Sequence, residues 1–159
     1  MVTACAMRYA TEDAFFCIQE INLGMTADVG TLQRLPKLIP EGVCRELAYT
    51  GRRMPAAEAK AVGLVNDVFK DHEALLDGVG EVARQIAGQS PLAVGGSKEM
   101  ITYARDHSTA ASLDHIATWQ AGMFQPSEMV ESFTARAEKR DGDFEDLLPF
   151  EGGVGQGVG

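Results

Sequence analysis

The hydrophobic residues in the first 90 positions fall into short runs separated by polar turns. Residues 2–9 (VTACAMRY), 14–19 (AFFCIQ) and 64–69 (LVNDVF) are apolar and aromatic runs with the length of buried strands. Segments with apolar residues at helical spacing, or with helix start and stop signals, cover 26–39, 41–50, 55–62 and 71–87. This alternation of short strands and helices predicts an α/β layer.

Residues that commonly begin or end helices mark the predicted boundaries. Asp71 and Ser90 are suited to cap free backbone amides at helix starts, and Gly51 and Gly63 are suited to end helices. Pro36 is expected to bend or end the segment 26–39, because proline lacks the amide that continues a helix.

From Ser90 onward the pattern predicts one helix after another. Each helix has a broad apolar face, and we expect part of this surface to be buried against another subunit. The first two predicted helices cover about 90–106 and 108–124, and the third begins at Pro126-Ser127 and carries apolar residues at helical spacing as far as Ala137. The predicted organisation is a partial α/β core over 1–89, a helical oligomerisation region over 90–146 and a glycine-rich, disordered tail over 147–159.

Composition narrows the classes of protein that fit this pattern. The 159 residues carry a formal charge of −9, which argues against a protein that binds the phosphates of nucleic acid. Cys5 and Cys17 lie in hydrophobic runs, so we interpret them as reduced core thiols in a reducing compartment. Neither a metal-ligand spacing, nor a bilayer-length apolar run, nor a signal peptide is visible.

Two acidic residues stand out in the apolar surroundings of "FFCIQEINLGMTADVGTLQRLP". Glu20 follows a strand-like run and precedes a glycine turn, a place where acid/base catalysts often lie, but it could equally be a strand-end residue facing water. Asp28 could face the same cavity, or it could cap the helix predicted to start near Thr26, a role that Thr26 itself could also fill. The pattern alone leaves both alternatives open.

The segment "EDAFFCIQEINLGMTADVGTLQRLPKLI" resembles the central block of the crotonase (enoyl-CoA hydratase/isomerase) superfamily, and specifically its Δ3,5-Δ2,4-dienoyl-CoA isomerases. Hydratases of this superfamily have a glutamate comparable to Glu20 but usually a glycine at the position of Asp28. The likeness continues through "ELAYTGRRMPAAEAKAVGLVNDVF", "SPLAVGGSKEMITYARDHS" and "SLDHIATWQAGMF", and it covers residues 1 to about 146. It implies a ClpP/crotonase-type spiral core followed by a helical trimerisation region.

The resemblance also implies a chemistry. Asp28 would remove a proton next to the thioester carbonyl of a dienoyl-CoA, and Glu20 would deliver a proton to a distant carbon of the acyl chain. Backbone amides would hold the enolate oxygen formed in between. Lys139 and Phe144 match positions where the family often has a CoA-phosphate contact and a nearby aromatic, although a solvated Lys-Arg pair and a hydrophobic anchor fit them equally. No cofactor is implied, since coenzyme A is part of the substrate.

By the same resemblance, the chain corresponds to the C-terminal part of a crotonase subunit, in which Val2 to Cys5 would be the tail of the active-site helix and the first strand would begin after them. The family's two oxyanion amides, a further active-site acid and the loop that grips CoA match positions upstream of Met1. Relatives also tend to have aspartate where this chain has Ala6. We therefore expect the chain alone to be weakly active or inactive, because removing one oxyanion donor typically costs a factor of about 100 to 1,000 in rate.

Two rival functions remain at this stage. An enoyl-CoA hydratase-like enzyme would use Glu20 to handle water, with Asp28 only capping a helix. A non-catalytic subunit would join crotonase trimers through its C-terminal helices. The expected partners are an acyl-CoA and further copies of the chain, in a trimer or a dimer of trimers. The expected compartment is intracellular: the cytoplasm in a bacterium, or mitochondria or peroxisomes in a eukaryote.

Overall fold

The computed structural model describes residues 2–147, and the chain divides into two compact units, Met1–Val82 and Ala83–Gly159. The predicted disordered tail lies outside the described residues, apart from Leu147. The strands are β1 (Tyr9–Thr11), β2 (Phe15–Phe16), β3 (Met54–Pro55) and β4 (Asp67–Phe69). The helices are α1 (Thr31–Arg34), α2 (Glu41–Thr50), α3 (Ala56–Ala61), α4 (His72–Ala87), α5 (Pro91–Ala104), α6 (Thr109–Met123) and α7 (Pro126–Glu138). Single 3-10 turns cover Val2–Ala4, Glu20–Leu23 and Leu35–Lys37.

The strands of the first unit form two short pairs. β1 runs parallel to β4, with Ala10 opposite Val68, and β2 runs antiparallel to β3, with Phe16 opposite Met54. Just before β1, the Arg8 amide donates to the Asn66 side chain at 2.9 Å, and the Asn66 amide donates to the Arg8 carbonyl at 2.7 Å. Asn66 therefore supplies hydrogen-bond partners to the Arg8 backbone at the point where the two parallel strands begin to pair.

The first predicted strand is wrong over its first half, because residues 2–4 form a 3-10 turn instead. The prediction that Cys5 is a core residue is also wrong, since Cys5 is exposed. The second predicted strand, 14–19, shortens to two residues. Apolar runs alone overstate strand length, because a strand extends only as far as a neighbouring backbone accepts its hydrogen bonds.

The helix predicted over 26–39 is much shorter than expected. It begins after Gly30, which adopts φ +83°, and α1 gives way after one turn to the 3-10 turn Leu35–Lys37. The Leu38 and Ile39 amides both donate to the Leu35 carbonyl, at 2.9 and 3.1 Å. Pro36 lies inside this tightened turn, as expected for a residue without an amide hydrogen.

The core of the first unit surrounds β3 and α2. Met54 and Ala56 are completely buried, and Leu47 and Leu64 are each 3% exposed. The predicted stop of α2 is confirmed, because Gly51 adopts φ +61° and its amide donates to the Leu47 carbonyl. This core positions the segments that lead into the candidate site.

The described part of the second unit is mainly helical, and the sequence predicted where these helices begin. Ser90 Oγ accepts the Ala93 amide at 3.0 Å and Ser108 Oγ accepts the Ala111 amide at 3.2 Å, so both serines cap α5 and α6. Trp119 of α6 packs over Gly96 of α5, where a Cβ would collide with the indole ring. Large apolar side chains nevertheless remain exposed on these helices, among them Ile101 (69%), Val130 (59%) and Phe133 (68%).

Candidate active site

Glu20 opens the 3-10 turn Glu20–Leu23, four residues after β2 ends. It is half-buried, and its carbonyl accepts the Met25 amide at 3.0 Å, which closes the turn. The Glu20 carboxylate has no hydrogen-bond or ion-pair partner within residues 2–147. The structure therefore fixes the backbone of Glu20 and leaves its carboxylate available to a ligand.

Asp28 lies in the loop that joins this turn to α1, and it is exposed. The helix-cap interpretation of Asp28 is wrong, because Gly30 occupies the N-cap position and no side chain caps α1. Thr26, the other predicted cap, is excluded for the same reason. Within the described part of the chain, the Asp28 carboxylate is also without a hydrogen-bond partner.

A backbone carbonyl at the end of α2 anchors the Glu20 turn. The Gly51 carbonyl accepts Cys17 Sγ at 3.1 Å and Asn22 Nδ2 at 3.3 Å, and these two donors flank Glu20 in sequence. A Cβ on Gly51 would collide with the Asn22 amide group, so this close approach requires glycine. The sequence marked Gly51 only as a helix stop and gave no sign of this second role.

Arg34 anchors the loop that carries Asp28. Its Nη2 donates to the Val29 carbonyl at 2.8 Å, and its Nε donates to Thr3 Oγ1 at 3.2 Å. Its guanidinium covers Gly30, where a Cβ would collide with it. Our sequence analysis missed Arg34. The sequence carries one signal for this role of Arg34: a long cationic side chain lies four residues after a glycine, which is about one helical turn.

The loop between the two acids is apolar and open. Ile21, Leu23 and Met25 are 40%, 65% and 53% exposed. Contiguous exposed apolar residues usually mark a surface that a ligand or another protein covers. The chemistry of this surface suits an acyl chain, and the two carboxylates lie on either side of the apolar residues in sequence.

A cavity of about 150 Å³ lies beside these segments in the first unit. It is smaller than the roughly 300 Å³ of an ordinary small-molecule site. Neither Glu20 nor Asp28 lines it, so their convergence on one cavity stays a prediction. The lining residues are Val2, Thr3, Phe16, Cys17, Ile18, Thr31, Leu35, Leu47 and Leu64.

Lys139 and Phe144, the two candidate CoA contacts, both lie after the last helical residue of α7. Lys139 is exposed and adopts φ 54° at the helix end, and the half-buried Phe144 packs its ring against Gly142. Arg140, beside Lys139, is also exposed and forms ion pairs with Glu131 and Glu138 at 2.5 and 2.7 Å. The role of Lys139 in binding stays a prediction.

Glu131 holds the segment that follows α7 through contacts with Arg140 and Asp143, and we expect these contacts to be lost at low pH. Arg140, together with the Asp143 amide at 2.8 Å, lowers the pKa of Glu131 from 4.5 to about 2. A lowered carboxyl pKa means that the contact is complete above about pH 4.5 and is lost as the pH falls toward 2. The Glu131 carboxyl carbon resonance should therefore titrate with a midpoint near 2 in an NMR pH series.

Glu138→Gln is the matched control, because Glu138 also pairs with Arg140 but does not contact the Asp143 amide. That variant should keep a clearly acid-shifted midpoint, whereas Glu131→Gln should remove the titration. A midpoint near 4.5 in the unaltered chain would show that the contact with Arg140 does not persist in solution.

Within residues 2–147, no group of three or more His, Cys, Asp or Glu side chains is arranged to hold a metal ion. None of the helices described in that range is both long and apolar enough to cross a bilayer.

Comparisons with known proteins identify the family. A family model described as enoyl-CoA hydratase/isomerase matches residues 1–147. The mitochondrial Δ(3,5)-Δ(2,4)-dienoyl-CoA isomerase of Mus musculus is 48% identical over 142 residues, which are 89% of this chain and 43% of that protein. The peroxisomal isomerase of the same name from Arabidopsis thaliana is 43% identical over 92% of this chain and 53% of its own length.

Solved structures agree with this result. The crystal structure of an enoyl-CoA hydratase from Bacillus anthracis is 34% identical, with a TM-score of 0.83 over 89% of this chain and 55% of that one. This chain thus spans about half the length of the curated relatives that it matches. The chain belongs to the enoyl-CoA hydratase/isomerase family.

Proposed function

We propose that this chain carries the proton-transfer residues of an acyl-CoA isomerase that shifts the double bonds of a dienoyl-CoA in fatty-acid β-oxidation. One observation carries the proposal: two carboxylates without internal partners flank an exposed apolar loop, and separate contacts anchor the backbone on each side. The dienoyl-CoA isomerases at 43–48% identity support the choice of substrate.

In the proposed reaction, Asp28 accepts the proton from the carbon next to the thioester carbonyl. The electron pair of that C–H bond moves into the conjugated system and leaves an enolate on the carbonyl oxygen. Glu20 then donates a proton to the distant carbon, and the electrons return to form the shifted pair of double bonds. Nothing is oxidised or reduced, and the two carboxyl groups exchange their protonation states with solvent before the next turnover. The proposed reaction uses no cofactor.

The enolate oxygen needs hydrogen-bond donors, and we propose that protein outside this chain supplies them. Such donors are worth about 100- to 1,000-fold each, because they are aimed at charge that develops in the transition state. We therefore infer that the chain alone turns over substrate slowly or not at all. It would then act as the acid/base half of a larger site.

Substrate choice tests the proposal directly. We would assay a chimera in which residues 1–147 replace the matching segment of the mouse isomerase, using 3,5-dienoyl-CoA and 2-enoyl-CoA as alternative substrates. The proposal expects isomerisation of the dienoyl-CoA. Hydration of the enoyl-CoA as the only activity, in a chimera that folds, would contradict it.

A hydratase-like reaction is the second candidate, and the exposure of the two acids favours it. Asp28 is exposed, whereas Glu20 is half-buried at a backbone turn. In that reaction Glu20 alone would handle a water molecule and Asp28 would have no chemical role. The resemblance to solved hydratase structures agrees with this alternative.

We also propose that the chain assembles with copies of itself through α5–α7. The exposed apolar side chains of these helices support this proposal, because monomeric proteins rarely expose large contiguous apolar patches. A non-catalytic role in crotonase trimers would use the same helices. We further propose an intracellular, reducing location, in which Cys5, Cys17 and Cys44 remain free thiols.

Phe133→Asp tests the assembly. Phe133 is 68% exposed on α7, so an aspartate at this position should be tolerated in the monomer. In an apolar interface, burying the charged carboxylate would cost free energy and weaken assembly. Light scattering should show a smaller species for this variant than for the unaltered chain. Leu76→Asp is the matched control, since Leu76 is 57% exposed on α4, and it should leave the mass unchanged. A monomeric mass for the unaltered chain would contradict the proposal.

A further inference from the structure

The loop that carries Asp28 has no regular secondary structure of its own. Residues 25–28 form neither helix nor strand, and Gly30 is in the left-handed region at φ +83°. The three residues Asp28–Gly30 therefore depend on contacts from outside the loop for a defined conformation. Arg34 makes these contacts from the following helical turn.

The geometry of Arg34 restrains the loop in two directions. One arm of the guanidinium donates to the Val29 carbonyl at 2.8 Å, adjacent to Asp28. Its Nε donates to the buried Thr3 at 3.2 Å, which ties the loop to the N-terminal 3-10 turn. A planar guanidinium can satisfy two acceptors in fixed directions, and a lysine ammonium cannot reproduce this geometry.

Gly30 completes the arrangement. Its backbone lies directly under the Arg34 guanidinium, and a side chain there would displace the arginine. The half-buried Arg34 thus fills the space that any other residue at position 30 would need. The loop conformation and the arginine position are mutually dependent.

We propose that Arg34 is a positioning residue for Asp28: by holding the Val29 carbonyl and Thr3 together, it sets the direction of the Asp28 carboxylate. This inference rests on the proposed function, in which Asp28 is the base. Arg34 itself does not touch the substrate in this arrangement. Its effect on turnover passes through the Asp28 loop.

The first test measures the loop and does not depend on activity. In ¹⁵N relaxation of the full chain, the order parameters of Val29 and Gly30 should fall in Arg34→Gln from about 0.85 toward 0.6 or below. Arg45→Gln is the matched control, because Arg45 also makes paired side-chain hydrogen bonds, to Glu41 and Tyr49, on α2. Unchanged order parameters at Val29 and Gly30 in Arg34→Gln would overturn the inference.

The second test measures catalysis in the mouse chimera with 3,5-dienoyl-CoA. Arg34→Gln should lower kcat by up to about 100-fold with little change in KM, since a misplaced catalytic group affects the transition state more than binding. Arg34→Lys should not restore kcat, although it keeps the charge. Full rescue by lysine, or an unchanged kcat, would show that the two directed hydrogen bonds are not needed.

The outcomes separate this inference from the proposed function. If Asp28→Asn removes turnover and Arg34→Gln does not, the proposed function stands and the role of Arg34 is refuted. If Asp28→Asn leaves turnover unchanged, the proposed function fails. In that case, or where turnover is too slow to measure, the order parameters of Val29 and Gly30 alone decide whether Arg34 holds the loop.

Discussion

Asp28→Asn should lower isomerisation of 3,5-dienoyl-CoA by about 100- to 10,000-fold, the range for loss of a general base. Asparagine keeps the size of the side chain and cannot accept the proton. The Asp28 side chain is exposed and makes no hydrogen bond or ion pair within the described residues, so the change should leave stability almost unaltered. The measurement is steady-state turnover in the mouse chimera, with thermal unfolding as the check on folding.

The two acids should respond differently to the two substrates. Glu20→Gln should lower turnover of both 3,5-dienoyl-CoA and any 2-enoyl-CoA that the protein accepts. Asp28→Asn should lower only the first, because hydration of a 2-enoyl-CoA needs no base at that position. Asp13→Asn is the matched control, since Asp13 is also an exposed aspartate of the first unit and has no proposed role. Equal activity of Asp28→Asn and the unaltered chimera on the dienoyl-CoA would refute Asp28 as the base.

Helix starts and stops were the part of the fold most accessible from sequence. Asp71, Ser90 and Ser108 each accept an amide three residues later, and Gly51 adopts the left-handed conformation that ends α2. These signals work because the side chain and the backbone group it satisfies lie within one turn. Local chemistry is therefore sufficient to predict them.

Strand lengths and the start of α1 could not be predicted from the local sequence. The apolar run 2–9 contains an exposed Cys5 and a 3-10 turn, because its backbone pairs with another segment of the chain only from Arg8 onward. Asp28 is a good cap residue by type, yet Gly30 takes the cap position. In the first case a distant part of the chain decides the local structure, and in the second the left-handed conformation of Gly30 does.

The candidate site shows the same limit. The acids Glu20 and Asp28 are recognisable by residue type and by family resemblance. Their anchors are not, since they use the carbonyl of Gly51, 31 residues after Glu20, and Thr3, 31 residues before Arg34. A backbone carbonyl carries no signal in sequence, so the conformation of both loops emerges only from the structure.

Met54→Ala should have the largest effect on stability among single changes in the first unit. The Met54 side chain is completely buried, and deleting such a side chain leaves a cavity that the surroundings only partly fill. We expect the free energy of unfolding to fall by about 2–5 kcal/mol, as measured by urea denaturation. Since Met54 pairs with Phe16, the strand that leads to Glu20 should lose protection from hydrogen exchange in the same variant.

Two matched variants identify the cause of that loss. Met25→Ala removes the same atoms from a side chain that is 53% exposed, so it should change the unfolding free energy by less than about 0.5 kcal/mol. Met54→Leu keeps most of the buried volume and should cost less than about 1.5 kcal/mol. If Met54→Ala and Met25→Ala destabilised the chain equally, β3 would not be part of a packed core in solution. The support it gives to the Glu20 turn would then have to come from the Gly51 carbonyl alone.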